Sequence, residues 1–157
     1  MSVRVGEPAP DFELQGVDGA SGEPLTRRLS ELRGQRVVLA FYPADNSLVC
    51  TAQLAEYTEQ VGAFGELDAE VLAISPQSAE SHRRFAASQG GFGFPLLSDE
   101  DKAVARAYGN LGLLGLYRRC TYVVDTGGRI AWAHRSVGPG IGYRGASELL
   151  EALGSAT

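Results

Sequence analysis

Hydrophobic and polar positions fall into blocks whose period changes along the chain. Val37, Val38, Leu39, Ala40, Phe41 and Tyr42 form an unbroken apolar run that ends at Pro43. Such a run predicts a strand over 36–42 buried on both faces. A polar turn of Asp45, Asn46 and Ser47 follows, and the spacing then becomes helical. Leu54, Tyr57, Val61 and Phe64 recur at three or four residues, which predicts a helix over 49–64. Residues 70–75 form a second short apolar run bounded by Pro76, and predict a second buried strand. Ser78 is placed to cap a helix over 79–89, which Gly90 and Gly91 end.

Phe94, Pro95, Leu96 and Leu97 make a brief extended piece. Ser98, Asp99, Glu100 and Asp101 then open a helix ending near Tyr108 and Gly109, with the acids at its positive end. Residues 110–117 are a Gly/Leu loop without clear period. Residues 120–125 predict a strand, Thr126, Gly127 and Gly128 a tight turn, and 129–134 the returning partner of a hairpin. A last helix covers 145–153, with Gly154 onward frayed. Near the start, residues 3–30 alternate short extended stretches with turns and read as small strands capping a larger fold. The order predicts an α/β fold with a mixed central sheet and helices on both faces. Strands 36–42 and 70–75, linked through helix 49–64, form a right-handed crossover. In such sheets sites gather beyond the carboxyl ends of strands, which is where Cys50 falls.

Composition narrows the function classes. A chain of 157 residues, 44% hydrophobic and 21% charged, is read as one soluble globular domain over 1–157. A net charge of −5 argues against non-specific nucleic-acid binding and against adhesion to acidic membranes. No apolar run approaches the roughly 20 residues that span a bilayer. The opening residues lack the apolar segment of a signal peptide, so the expected location is cytoplasmic. Two cysteines, Cys50 and Cys120, are too few for a disulfide scaffold and begin as thiols in a reducing compartment. His82 and His134 have no Cys or carboxylate at ligand spacing, so neither a metal site nor a cofactor is expected.

Cys50 changes the picture most. It stands where a strand and turn give way to a helix. First-turn N–H groups lack partners within the helix and carry partial positive charge. A thiol placed there is expected to have a depressed pKa and to populate the nucleophilic thiolate. The plain alternative is a cysteine buried in the core after a turn.

The surroundings of Cys50 carry a resemblance. The element order, with a cysteine opening the first long helix, resembles the thioredoxin fold, with N-terminal β-hairpin additions. Position 53 is Gln, so there is no C-x-x-C pair. Pro43, Ser47 and Cys50 match in register the Pro-x-x-x-Thr/Ser-x-x-Cys motif, and the chain resembles the peroxiredoxins. Phe41 and Tyr42 before the motif and Thr51, Ala52 and Gln53 after it are similar to the family's flanks. So are residues 6–12, residues 94–99, Tyr108 with Gly109, and the stretch 119–125, whose Arg119 aligns with the family's active-site arginine. In look the chain is nearest to the bacterioferritin-comigratory type.

The resemblance implies a thiol-dependent peroxidase acting on hydrogen peroxide and organic hydroperoxides. Cys50 would attack the peroxide and become a sulfenic acid. Arg119 would lend permanent charge and fixed donors to the thiolate and the O–O bond, with Arg118 the solvated neighbour or, as the alternative, the two transposed. Ser47 would offer its hydroxyl, Pro43 would shield the thiolate, and Gln53 would brace Arg119. The expected reductant is a thioredoxin-like protein or a low-molecular-weight thiol, and the expected state a monomer or homodimer.

Position 55, where this subgroup often carries a resolving cysteine, is Ala, and no longer C-terminal arm follows. Only Cys120 remains, and strand alternation turns it away from Cys50 if Arg119 faces that site. A one-cysteine mechanism is therefore expected, with Cys120 as resolving thiol the alternative. Leu48 stands where many relatives have proline, and Ser47 where threonine is commoner. Phe41, Leu48 and the 110–117 loop are candidates for an apolar peroxide entrance. Two further readings use the same residues: a peroxide-sensing redox regulator, and a thioredoxin-like binding module with an inert thiol.

Overall fold

The structure is a computed structural model and describes residues 3–135 and 145–155; the first two residues and residues 156–157 lie outside it. Seven strands form one sheet: β1 (Glu13–Val17), β2 (Pro24–Arg28), β3 (Arg36–Phe41), β4 (Ala69–Ser75), β5 (Leu96–Ser98), β6 (Cys120–Val124) and β7 (Ile130–Arg135). Their spatial order is β2-β1-β5-β4-β3-β6-β7. The neighbours β3, β4 and β5 run parallel, and every other pairing is antiparallel. Among the described residues five α-helices flank the sheet: α1 (Leu48–Glu59), α2 (Val61–Glu66), α3 (Ala79–Ser88), α4 (Ala103–Tyr108) and α5 (Ala146–Ser155). The mixed sheet and flanking helices are those expected from the sequence.

Strand residues alternate between two cores, because successive side chains of a strand leave opposite faces. Val38, Ala40, Tyr42, Val71, Ala73, Leu96 and Val123 meet α1, α2, α3 and α5 on one face. Val37, Leu39, Phe41, Leu72, Ile74, Leu97, Cys120, Tyr122 and Val124 meet α4 and the N-terminal segment on the other. On that second face Phe41, Tyr108 and Tyr122 form a ring cluster with centroids 5.2–5.8 Å apart. Two buried faces explain why β3 and β4 read as continuous apolar runs.

Several boundaries differ from expectation, each for a local reason. The helix predicted over 49–64 divides at Gln60 (φ −102°, ψ 12°), whose N–H turns back to Tyr57. The second piece holds Gly62 and Gly65, poor helix formers that gain little from continuing the first. The acids before α4 lie outside the helix and cap it. Asp99 accepts from the N–H groups of Val104 (3.1 Å) and Ala105 (2.9 Å), and Asp101 accepts from Ala103 (3.0 Å). Gly154 and Ser155 belong to α5 and are not frayed. The first hairpin does not cap the fold; β1 pairs with β5 and extends the central sheet.

That junction depends on Gly16, where a Cβ would lie 2.0 Å from the Leu96 carbonyl oxygen. Gly16→Ala is therefore expected to lower unfolding free energy by about 1–3 kcal/mol, read as a lower urea midpoint at unchanged slope.

Four buried tyrosines link stability to alkaline pH. Burial pushes the phenols of Tyr42, Tyr108, Tyr117 and Tyr122 up, and the charges of Asp45 beside Tyr42 and Asp99 beside Tyr117 act in the same direction. A raised folded-state pKa contributes stability in full below the unfolded value of 10.0 and loses it as pH climbs above that value. Stability should fall steeply above this point. Phenolate absorbance from these rings should rise together with unfolding; ionisation of all four near pH 10 in the folded protein would contradict it.

Candidate active site

The site forms where β3 ends. Tyr42 is fully buried beneath it, and the half-buried Pro43 stops the strand by removing a donor from the ladder. The turn then reverses at Asn46, which takes the left-handed conformation (φ 64°) that Asn tolerates better than most residues. Ser47 is extended (φ −72°, ψ 148°), and its Oγ accepts the Cys50 N–H at 3.2 Å, while Thr51 Oγ1 donates to the Ser47 carbonyl at 2.7 Å. Ser47 is thus the N-cap of α1, and Cys50 is the third helical residue. The cysteine is 0% exposed.

Arg119 reaches Cys50 from the opposite direction. It immediately precedes β6 and has the face parity of Thr121 and Val123, toward α1. Its Nη2 donates to Cys50 Sγ at 3.0 Å, and its Nη1 donates to Gln53 Oε1. Gln53 Nε2 donates in turn to Tyr57 Oη at 3.3 Å, one turn further along α1. Arg119 is 3% exposed. A guanidinium cannot shed its proton, so at this depth it requires acceptors, and the sulfur is one of them. Arg118 is exposed, with its guanidinium lying across Gly112.

Cys50, Ser47, Arg119 and Gln53 are therefore in one connected set, and Pro43 lies at the end of the strand that leads into it. Cys120 is elsewhere. It pairs with Phe41 in the sheet and is buried in the second core, so the sheet separates the two cysteines, and no disulfide joins them. Phe41 also belongs to that second core and does not line an entrance beside Leu48. Leu48 (87% exposed), Leu114 and Leu116 lie at the surface. Among the described residues no group of three or more His, Cys, Asp or Glu could hold a metal ion, and no helix is long and apolar enough to cross a membrane.

One feature of the site escaped the sequence reading. Asp45, in the turn before Ser47, is buried and meets His82 of α3, whose Nδ1 lies 2.9 Å from Oδ2 and 3.0 Å from Oδ1. Tyr42 Oη donates to Asp45 Oδ1 and Ser81 Oγ to Oδ2, both at 2.7 Å. Asp45 and His82 are 37 residues apart in the chain, so only the packing of α3 against the turn could reveal the pair.

Comparison with known proteins identifies the family. A family model described as the AhpC/TSA family matches residues 5–133. Peroxiredoxin Bcp of Bacillus subtilis is 33% identical over 145 residues, which cover 87% of this chain and 88% of that protein. The crystal structure of Enterococcus faecalis AhpC superposes with a TM-score of 0.88 at 29% identity, covering 99% of this chain and 92% of that one. Mycobacterium tuberculosis AhpC, at 24% identity, shares the fold with a TM-score of 0.89 over 99% of this chain and 93% of that one. The α/β fold is accordingly thioredoxin-like, and the chain belongs to the AhpC/TSA family, the peroxiredoxins.

Proposed function

We propose that the protein is a single-domain thiol-dependent peroxidase in which Cys50 is the peroxidatic nucleophile and an external thiol completes the cycle. The observation that carries this reading is the Arg119 guanidinium 3.0 Å from Cys50 Sγ at the capped start of α1. Positive charge from the guanidinium and from the first-turn N–H groups stabilises an anionic sulfur. The sulfur attacks one peroxide oxygen, an S–O bond forms as the O–O bond breaks, and water or an alcohol leaves. Cys50 becomes a sulfenic acid.

Arg119 serves as donor to the sulfur and to the oxygen that gains charge in the transition state. Gln53 holds the guanidinium through Nη1. The Ser47 hydroxyl, while it accepts from Cys50 N, keeps its own proton to donate into the site. Pro43 covers one side of the thiolate with apolar surface. A thiol then condenses with the sulfenic acid, releasing water and forming a mixed disulfide, which a second thiol reduces. Position 55 is Ala, and Cys120 lies across the sheet, which supports a thiol from outside the chain. A thioredoxin-like protein or a low-molecular-weight thiol of a reducing cytoplasm fits that role.

The test is intact mass after one equivalent of peroxide, with and without a sulfenic-acid trap, beside steady peroxide consumption with a thiol. Cys50→Ser should abolish consumption, whereas Cys120→Ser should keep both the trapped adduct and near wild-type turnover. Loss of two hydrogens in wild type alone would make Cys120 the resolving thiol. Arg119→Met should slow Cys50 oxidation by about a hundredfold or more, the usual cost of removing a preorganised donor from a developing charge.

Ser47 separates capping from chemistry. Ser47→Ala should cost about 1 kcal/mol of stability through the lost cap, measured by urea unfolding, while Ser47→Thr should retain both stability and rate.

A further inference from the structure

We infer that Asp45 and His82 are positioning residues for Cys50: a buried hydrogen-bonded aspartate–histidine pair clamps the turn between β3 and α1 onto α3 and so holds the first turn of α1 closed. The inference rests on the peroxidase reading for its consequence in the cycle, though the clamp itself is argued from the turn alone.

Proton accounting assigns the pair. The Leu97 carbonyl oxygen can only accept, and His82 Nε2 lies 3.0 Å from it, so Nε2 carries a proton. Asp45 already accepts from two hydroxyls, Tyr42 Oη and Ser81 Oγ, and its oxygens face Nδ1 at 2.9 and 3.0 Å. Tyr42 Oη also lies 3.3 Å from Nδ1, so the ring, the carboxylate and the two hydroxyls form one connected buried network. Both side chains are 0% exposed. Losing either partner therefore leaves buried polar atoms of the other unsatisfied and out of water.

Mechanical consequence follows from position. Asp45 is two residues before the Ser47 cap and five before Cys50, and its backbone N–H is tied to Gln77 Oε1 at 3.3 Å. The pair thereby fastens the turn to α3, to the strand end at Tyr42 and to β5 through Leu97. Cys50 is 0% exposed. Hydrogen peroxide is small enough to enter a closed site of this kind, but an external thiol that forms a disulfide with the buried Cys50 needs the first turn of α1 to open. The clamp opposes that opening, so it favours oxidation and slows resolution.

Three readouts test the inference. In wild type, nitrogen-resolved NMR of the His82 ring should show a proton on Nε2 and a hydrogen-bonded Nδ1 whose signal shifts in Asp45→Asn; an Nδ1 signal that this substitution leaves unmoved overturns the pair. In His82→Gln and Asp45→Asn, hydrogen exchange at the amides of residues 51–53 should quicken by about tenfold or more while β3 and β4 keep their protection. Unchanged exchange in α1, or equal loss throughout the sheet, overturns the clamp. Oxidation by hydrogen peroxide should slow and reduction of oxidised Cys50 by an external thiol should quicken in the same variants. Parallel slowing of both half-reactions would mark a merely structural role.

Ser81→Ala removes one donor to Asp45 from a half-buried helix position and should move every readout in the same directions by less. It supplies the comparison if those two variants do not fold. If wild type fails to react with peroxide, the peroxidase reading falls, while the ring protons and the local exchange still decide the clamp.

Discussion

Arg119 carries a charge that it cannot lose into a site where almost no water reaches it. Isolated, such a group would be costly to bury, so its surroundings must supply acceptors in fixed places. Gln53 supplies one from the second turn of α1, and Cys50 supplies another from the first. Both stand on one helix, and the Ser47 cap fixes where that helix begins. The position of α1 against the sheet is therefore tied to the compensation of a single cation. Tyr57, which meets Gln53 and packs edge-on against Phe64 at 6.2 Å, carries the same constraint into the core.

Strand alternation does the remaining sorting. Arg119 and Cys120 are adjacent in sequence, yet one is aimed at α1 and the other is buried with Phe41, Tyr117 and Tyr122 beneath the sheet. The same parity separates Phe41 from Tyr42. Phe41 belongs to the aromatic cluster of the second face, and Tyr42 reaches the carboxylate of Asp45 beside the site. A shift of one residue in the β3–β6 register would exchange these neighbours completely. The chemistry of the site thus depends on a register held by two apolar faces at once.

Most elements were legible because their signals are local. The apolar runs of β3 and β4, the Ser78 cap of α3 and the Gly90 and Gly91 stop required only neighbouring residues to interpret. Boundaries were misread where a side chain acts at a distance along the chain. Asp99 looked like the first turn of α4, but it reaches forward to cap Val104 and Ala105 from outside the helix. Residues 49–64 keep one apolar period while the backbone turns at Gln60, since periodicity records which side is buried and not whether hydrogen bonds continue. At Gly16 only the approach of Leu96 across the sheet shows why no Cβ fits.

For the site, the sequence alone determined the residue types and their order: a thiol after a turn, a serine three residues before it, a proline ending the strand, and an arginine on a later strand edge. Those are properties of short segments, where spacing and chemistry can be read together. Tertiary structure decided which groups meet. It chose Arg119 over Arg118, put Cys120 across the sheet from Cys50, and brought Asp45 to His82 through the packing of α3. Contacts between distant segments depend on register and helix packing, which arise only once the whole sheet has assembled, and no local pattern encodes them.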